Sequence, residues 1–238
     1  MQSIAHRGYS AIAPENTLAA FRSALAEHAD GVEFDVHLSA DGIPVVIHDP
    51  VLGRTTNGTG EVRAHTVAQL QALDAGSWKS PEFAGERIPL LKDTLALLRG
   101  RTIPYIELKA PGTAGPMVAL LQELAMSEQV VVMSFDEGLL QEVIALDPQI
   151  HVRLLVGTDN SEHPEDAWRT AAQRVGTMHL SIIEQALTPA RVKLLHVEGY
   201  DIFAWTVDKT ERMQELIDMG VDSIASNRID ALMHVAGG

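Results

Sequence analysis

Three acidic residues lie on two apolar runs that the sequence pattern predicts as strands. Glu33 and Asp35 are two residues apart and therefore face the same side of one strand, and Glu107 lies near the end of another. Carboxylates that converge in a protein interior repel one another unless they are protonated or neutralised. Mg²⁺ or Ca²⁺ is the natural counter-ion of such an all-oxygen set. Exposed carboxylates paired with Lys or Arg are the alternative interpretation.

Two histidines lie at the ends of predicted strands. His6 precedes Arg7 and Gly8 after the first run, and His48 precedes Asp49 after the third. Because histidine titrates near neutral pH, two of them on opposite sides of a phosphodiester could exchange the roles of acid and base. Arg7 has the planar fork that suits phosphate oxygens. A structural role for either histidine is the alternative.

Two further side chains could contact a substrate. Lys109 is two residues after Glu107 and shares its face of the strand, so it could bind phosphate or form an ion pair with its acidic neighbours. Trp205 lies near the end of another apolar run, where it could pack on the alkyl part of a substrate or belong to the core.

The elements that position these residues follow an alternating pattern of strands and helices, which predicts βα units around a parallel sheet. The predicted strands are 3–6, 32–38, 44–48, 103–108, 130–135, 151–156, 177–182, 202–207 and 221–225. The predicted helices are 15–28, 67–73, 116–126, 137–146, 164–175, 189–197 and 210–219, with Pro14 at the start of the first and Gly220 after the last.

The junction between the second and third strands differs from the others. Residues 39–43, which include Asp41 and Gly42, are too few for a crossover helix and predict a β-hairpin, with an extended crossover as the alternative. A hairpin would make one of its two runs an arm and leave eight strands for a barrel. The pattern then lapses between Asp49 and Leu91, which indicates a long insertion beside the site.

Composition narrows the class of protein. The chain has 238 residues, a hydrophobic content of 46%, a net charge of −14 and no cysteine. We predict one domain over residues 1–238, with an insertion at about 50–91. The acidic charge argues against nucleic acid as a partner and against stable membrane association. With no signal peptide or membrane span in the pattern, we expect a cytoplasmic protein. The oligomeric state stays open.

Short segments in a fixed order resemble the glycerophosphodiester phosphodiesterases. The resemblance covers almost the whole chain and is carried by Ala5-His6-Arg7-Gly8, Pro14-Glu15-Asn16-Thr17, Glu33-Phe34-Asp35-Val36, Asp41-Gly42, Pro44-Val45-Val46-Ile47-His48-Asp49, Arg54-Thr55-Thr56, Leu73-Asp74-Ala75-Gly76-Ser77-Trp78, Ile88-Pro89-Leu90, Glu107-Leu108-Lys109 and Trp205-Thr206-Val207. Each segment is a weak signal alone, but their order is specific.

The resemblance implies an α/β fold, a TIM-type (β/α)8 barrel with a small insertion after the strand of His48. It also implies that Glu33, Asp35 and Glu107 bind one divalent metal ion, Mg²⁺ or Ca²⁺. His6 and His48 would act as acid and base, and Arg7 and Lys109 would contact phosphate. The implied partner is a small glycerophosphodiester, cleaved to glycerol 3-phosphate and an alcohol.

Two other functions are kept as alternatives. A lysophospholipid or another phosphodiester could be hydrolysed at the same site, or the barrel could bind a phosphorylated metabolite without catalysis. The chain also departs from the family at two positions. Asp208 follows Trp205-Thr206-Val207 where Asn is usual, and Asn227 follows the last strand where Asp is frequent.

Overall fold

The structure is a computed structural model that describes residues 1–158 and 163–237. Its strands are β1 (Gln2–His6), β2 (Gly31–Leu38), β3 (Pro44–Val46), β4 (Ile103–Leu108), β5 (Val131–Ser134), β6 (His151–Val156), β7 (His179–Ile183), β8 (Asp201–Trp205) and β9 (Ser223–Ser226). Its α-helices are α1 (Leu18–Ala26), α2 (Val67–Gln71), α3 (Leu91–Leu98), α4 (Ala114–Glu123), α5 (Glu137–Leu146), α6 (Pro164–Val175), α7 (Pro189–Val197), α8 (Thr210–Met219) and α9 (Ile229–Ala236).

Eight parallel strands close into a barrel. Neighbouring strands follow the order β1, β2, β4, β5, β6, β7, β8 and β9, and β1 pairs with both β2 and β9. The predicted TIM-type (β/α)8 barrel is therefore confirmed. Strand β3 lies outside this circle and pairs antiparallel with β2, which confirms the hairpin and makes β3 the arm.

Successive residues on the barrel strands face opposite sides, and this separates two cores. Val32 and Phe34 of β2 belong to the layer between the strands and the surrounding helices. Ile4, Tyr105 and Phe203 belong to a second cluster, contributed by β1, β4 and β8, inside the barrel. The interior is therefore filled by side chains rather than open, so the strand ends form a floor for a site.

The first helix begins later than the sequence pattern indicated. Helix α1 starts at Leu18 with Thr17 as its N-cap, and Pro14 lies in the preceding loop. The prediction of a start at Glu15 was wrong because Asn16 has a φ of 58°, a left-handed backbone that interrupts a helix. Residues 14–16 are therefore free to turn toward the barrel.

Three other local predictions need correction. Strand β3 ends at Val46, so His48 lies in the loop after the arm and does not end a strand. The sequence pattern also missed α3, although Leu91, Leu95 and Leu98 are buried at helical spacing. It missed α9 in the same way.

The segment between β3 and α3 forms a small body of its own beside the strand ends. Leu52, Val62, Leu70 and Ile88 are buried in one cluster there, together with residues of the arm. Short helical turns and α2 are the only regular elements that the structure describes in this segment. Within residues 1–158 and 163–237, no helix has the length and apolar character required to cross a bilayer.

Candidate active site

A pocket opens at the carboxyl ends of the barrel strands. Every residue predicted for the site except Asp35 lines it: His6, Arg7, Glu33, His48, Glu107, Lys109 and Trp205. Asp35 is fully buried and contacts Arg7 and Lys109 of this set. Closure of the barrel therefore brings together residues from β1, β2, β4 and β8 and from the loop after β3.

The three carboxylates form one buried cluster. Asp35 of β2 pairs in register with Glu107 of β4, and Glu33 precedes Asp35 on the same inward face. One carboxylate oxygen from each residue lies within 4.8 Å of the others. Within the described part of the chain, Glu33 Oε1 and Asp35 Oδ1 have no hydrogen-bond partner. Buried oxygens without a hydrogen bond in an all-carboxylate set fit a hard divalent cation.

Mutual repulsion in the triad changes its proton affinities. Burial and the charge of Asp35 raise the pKa of Glu107 to about 7. Burial and the charges of Asp35 and Glu107 raise the pKa of Glu33 well above its usual range. Burial also acts to raise the pKa of Asp35, but Arg7 and Lys109 outweigh it and hold that pKa low. The cluster therefore holds more negative charge than its surroundings neutralise.

Two basic side chains flank the triad. The backbone N–H of Arg7 donates to Glu33 Oε2 at 3.0 Å, and its guanidinium Nε lies 3.5 Å from Asp35 Oδ2. Lys109 Nζ donates to Glu107 Oε1 at 2.7 Å and lies 3.4 Å from Asp35 Oδ1. Burial disfavours the charge of Lys109, but the charges of Asp35 and Glu107 outweigh it and raise the pKa of Lys109. Lys109 therefore keeps its positive charge beside the pocket.

His6 lies at the end of β1 between the triad and β9. Its Nδ1 lies 2.7 Å from Asn227 Oδ1, and its Nε2 lies 3.8 Å from Glu33 Oε2. Burial, followed by the charge of Arg7, lowers the pKa of His6 to about 4. The imidazole of His6 is therefore neutral at neutral pH in the metal-free protein.

His48 is held from two sides in the loop after the arm. Its Nδ1 donates to Asp49 Oδ1 at 2.6 Å. The buried side chain of His37 donates through Nε2 to the backbone oxygen of His48 at 3.0 Å. The hydrogen bond from Arg54, supported by that from His48, holds the pKa of Asp49 well below its usual range. These contacts leave Nε2 as the nitrogen of His48 that is available for chemistry.

A chain of ion pairs connects the surroundings of both histidines. Arg54, in the segment after the arm, contacts Asp49 at 2.6 Å and Glu15 at 2.8 Å, and Glu15 in turn accepts from Arg7 Nη1 at 2.7 Å. Sequence reasoning assigned no role to Glu15 or Arg54. Both residues belong to segments that carry the family resemblance, and this was the only indication of a role. Nothing in the sequence near either residue shows that Glu15 and Arg54 contact each other.

Asn16 was missed for the same reason. Its Nδ2 donates to Asp35 Oδ2 at 2.8 Å, and its Oδ1 accepts from the backbone N–H of Asp35 at 3.3 Å. The left-handed backbone of Asn16, which prevents an earlier start of α1, also turns this side chain toward β2. Asn16 therefore fixes the orientation of one carboxylate of the triad.

The opposite wall of the pocket is apolar. Met133, Leu155 and Phe203 line it, and Trp205 meets the ring of Phe135 edge-on at 5.5 Å between centroids. Phe135 is half exposed at the rim. The pocket thus combines one charged side with one side that can pack on carbon atoms.

Comparisons with known proteins agree with this arrangement of barrel and pocket. Residues 6–231 match the model of the glycerophosphoryl diester phosphodiesterase family. The glycerophosphodiester phosphodiesterase of Caldanaerobacter subterraneus subsp. tengcongensis is 36% identical over 238 residues, which cover 98% of this chain and 96% of the relative. The fold and pocket are therefore those of a hydrolase of phosphodiesters.

Two solved structures are similar over the full barrel. A phosphodiesterase of Oleispira antarctica, in complex with the product sn-glycerol-3-phosphate, has a TM-score of 0.91 at 31% identity and covers 100% of this chain and 97% of its own. The glycerophosphodiester phosphodiesterase of Agrobacterium tumefaciens has a TM-score of 0.85 at 33% identity, with 98% and 99% covered. This chain belongs to the glycerophosphoryl diester phosphodiesterase family.

Proposed function

We propose that the enzyme hydrolyses glycerophosphodiesters to glycerol 3-phosphate and an alcohol, with one bound divalent metal ion and two histidines that transfer protons. The observation that carries the proposal is the convergence of a buried carboxylate triad, two histidines and two basic side chains on one pocket. The relative from Oleispira antarctica, which was solved with sn-glycerol-3-phosphate, supports a small substrate of this class.

Glu33, Asp35 and Glu107 would hold the metal ion, Mg²⁺ or Ca²⁺, through their carboxylate oxygens. When bound, such an ion supplies Lewis-acid polarisation of a phosphoryl oxygen. The orientation of the triad depends on the chain itself, since Asn16 holds Asp35 and the backbone N–H of Arg7 holds Glu33.

Arg7 and Lys109 are suited to hold the phosphate. Both lie on the pocket beside the triad, and both are held there by the carboxylates that surround them. A guanidinium can meet two phosphate oxygens at once, whereas an ammonium acts as a point charge. Positive charge fixed in advance on one side of the pocket stabilises the negative charge that develops on the phosphoryl oxygens.

His6 and His48 are suited to move the two protons that hydrolysis requires. One takes a proton from the attacking oxygen, and the other gives a proton to the leaving alkoxide as its bond to phosphorus breaks. The attacking oxygen belongs either to water or to a neighbouring glycerol hydroxyl. In the second case a cyclic phosphate forms first and water opens it. Its absence from phosphorus NMR spectra during slow turnover would favour direct attack by water.

The remaining residues define the entrance. Trp205 and Phe135 are suited to pack on the carbon atoms of the substrate, opposite the charged wall.

We extend the proposal to a single domain over residues 1–238 in which residues 50–91 are an insertion that supports the site. Its support is Arg54, which joins this segment to Glu15 and Asp49.

The test is hydrolysis of a panel of phosphodiesters, followed as glycerol 3-phosphate from the glycerophosphodiesters, as lysophosphatidic acid from the lysophospholipid and as the released phenol from the aryl phosphodiester. The panel contains glycerophosphocholine, glycerophosphoethanolamine, a lysophospholipid and an unrelated aryl phosphodiester, each after chelation and after return of Mg²⁺ or Ca²⁺. His6→Ala and Glu33→Gln are assayed beside His151→Ala and Glu211→Gln, which alter exposed residues that do not line the pocket.

The expected result is activity on the first two substrates that requires the metal and is lost in the two pocket variants, but not in the two surface variants. Loss of general acid–base catalysis lowers the rate by about 10²–10⁴-fold. Turnover of the lysophospholipid alone would reassign the substrate. A folded protein without turnover of any member would favour a binding role.

A further inference from the structure

A line of side chains runs from the protein surface to His6 through residues outside the proposed acid–base and metal sets. Asp208, after β8, accepts through Oδ2 from Asn227 Nδ2 at 2.7 Å. Asn227, after β9, presents its Oδ1 to His6 Nδ1 at 2.7 Å. Asp208 is exposed, Asn227 is half-buried and His6 borders the pocket.

The orientation of the Asn227 amide is determined by its neighbours. The carboxylate of Asp208 can only accept hydrogen bonds, so the amide atom that faces it must be the NH₂ group. Oδ1 then faces the opposite way, where Ser10 Oγ also lies 2.8 Å from it. Asp208 is itself held because its Oδ1 accepts from the backbone N–H of Asn227 at 2.9 Å and from Ser226 Oγ at 3.1 Å.

This orientation selects one form of the neutral imidazole. An amide oxygen accepts, so His6 Nδ1 must carry the hydrogen that fills the contact, and Nε2 is left with a free lone pair. Nε2 is the nitrogen that lies 3.8 Å from Glu33 Oε2 and 3.4 Å from Thr206 Oγ1, on the side of the pocket. The reactive nitrogen of neutral His6 is therefore able to accept a proton.

We propose that Asp208 and Asn227 are positioning residues that hold His6 in the Nδ1–H tautomer. The proposal rests on the proposed role of His6 in proton transfer, which it makes more specific. It also accounts for the two positions at which the chain departs from its family. Asp and Asn stand in reversed places, yet the structure bonds them to each other. In this chain the neutral amide of Asn227, and not the carboxylate of Asp208, lies against His6.

Each single substitution breaks the arrangement in a different way. Asp208→Asn removes one acceptor, and the Asn227 amide can recover its bond to position 208 by turning over. That turn places Nδ2 against His6 Nδ1 and selects the Nε2–H tautomer. Asn227→Asp instead places two carboxylates 2.7 Å apart where the hydrogen bond was. The double variant Asp208→Asn with Asn227→Asp, called the exchange variant, again pairs a donor at position 208 with an acceptor at position 227. The new carboxylate at position 227 then faces His6.

The experiment uses the full chain with Mg²⁺ bound and histidine labelled with ¹⁵N. The tautomer of His6 is read from the nitrogen shifts and long-range couplings of the imidazole, with His6→Ala for assignment. Kinetics on a glycerophosphodiester give kcat and KM for both single variants, for the exchange and for Asp218→Asn, an exposed carboxylate on α8 that bonds only Gln214 in the described residues.

We expect the Nδ1–H tautomer in the unaltered enzyme and in the exchange variant. In Asp208→Asn we expect the Nε2–H tautomer and a kcat lower by about 100-fold or more, with KM changed by less than about threefold. The exchange variant should recover kcat to within about tenfold of that of the unaltered enzyme. The kcat of Asp218→Asn should equal that of the unaltered enzyme.

Three results would overturn the proposal. They are an Nε2–H tautomer in the unaltered enzyme, an unchanged kcat in Asp208→Asn, and an exchange variant no more active than the single variants although all are folded by circular dichroism. Failure of the proposed function is a separate result: His6→Ala would remain active, or no glycerophosphodiester would turn over, while the NMR spectra would still report the tautomer.

Discussion

Replacement of Glu107 by glutamine should make the metal-free protein more stable, although it removes a residue proposed to bind the metal ion. Glutamine keeps the size of the side chain and an oxygen for Lys109 Nζ, which now lies 2.7 Å from Glu107 Oε1. It removes one of the three charges that repel each other in the buried cluster. The gain should appear only above the pH at which Glu107 ionises in the unfolded state.

The size of the effect follows from the pKa of Glu107. Burial, together with Asp35, raises it from an ordinary 4.5 to about 7. A raised pKa means that the folded state binds the proton more tightly than the unfolded state, so ionisation opposes folding. The penalty is absent below a pH of about 4.5, grows up to about 7 and is then constant. Each pKa unit corresponds to about 1.4 kcal/mol, so the penalty reaches roughly 3 kcal/mol.

The assay is urea unfolding in a chelating buffer at about pH 4.5 and about pH 8, for the unaltered protein, Glu107→Gln and the surface control Glu211→Gln. The free energy of unfolding of Glu107→Gln should exceed that of the unaltered protein by roughly 3 kcal/mol at the higher pH and by little at the lower. Added Mg²⁺ should stabilise the unaltered protein and reverse the order.

A difference between Glu107→Gln and the unaltered protein that does not depend on pH would refute the reasoning. It would mean that the change acts through packing and not through charge. A metal-free protein that gains stability between pH about 4.5 and about 8 through Glu107 would also contradict it, since the sign requires a loss.

Three further predictions concern residues that support the site. Arg54→Gln should lower kcat by about 10- to 100-fold in steady-state assays, because Asp49 loses the cation that holds it; an unchanged kcat would contradict this. Asn16→Ala should weaken Mg²⁺ binding by about 10- to 100-fold in calorimetric titration, because Asp35 loses its amide partner. Gly8→Ala should cost about 1–3 kcal/mol in urea unfolding, since φ is 78° and a Cβ would lie 2.7 Å from the backbone of α1. Equal stability would show that this turn can relax.

Much of the fold was predictable from the sequence because βα units produce strong local patterns. Each of the barrel strands lies within about two residues of a predicted run, and α5, α6, α7 and α8 match their predicted limits. The Asp41-Gly42 junction also predicted the hairpin, since it has no room for a crossover helix. The predictions failed where tertiary contacts set a boundary, as at the start of α1, where Asn16 turns inward to Asp35.

The candidate site also has a part that the sequence predicted and a part that it did not. The residue types and the two-residue spacing of Glu33 and Asp35 predicted a shared inward face, and the structure places Glu107 beside them. Nothing local indicated that Glu15 and Arg54 would connect Arg7 to the loop of His48. Those partners lie far apart along the chain, and packing of the segment after β3 onto the barrel brings them together.

The sequence by itself determined the alternation of strands and helices and the chemical groups available at the strand ends. Only the tertiary structure decided which strands close the barrel, that β3 is an arm, and which side chain meets each histidine. Asn227 contacts His6 from 221 residues away because β1 and β9 pair at the closure of the barrel. Such a contact depends on the register of all eight strands together, and no local pattern contains that register.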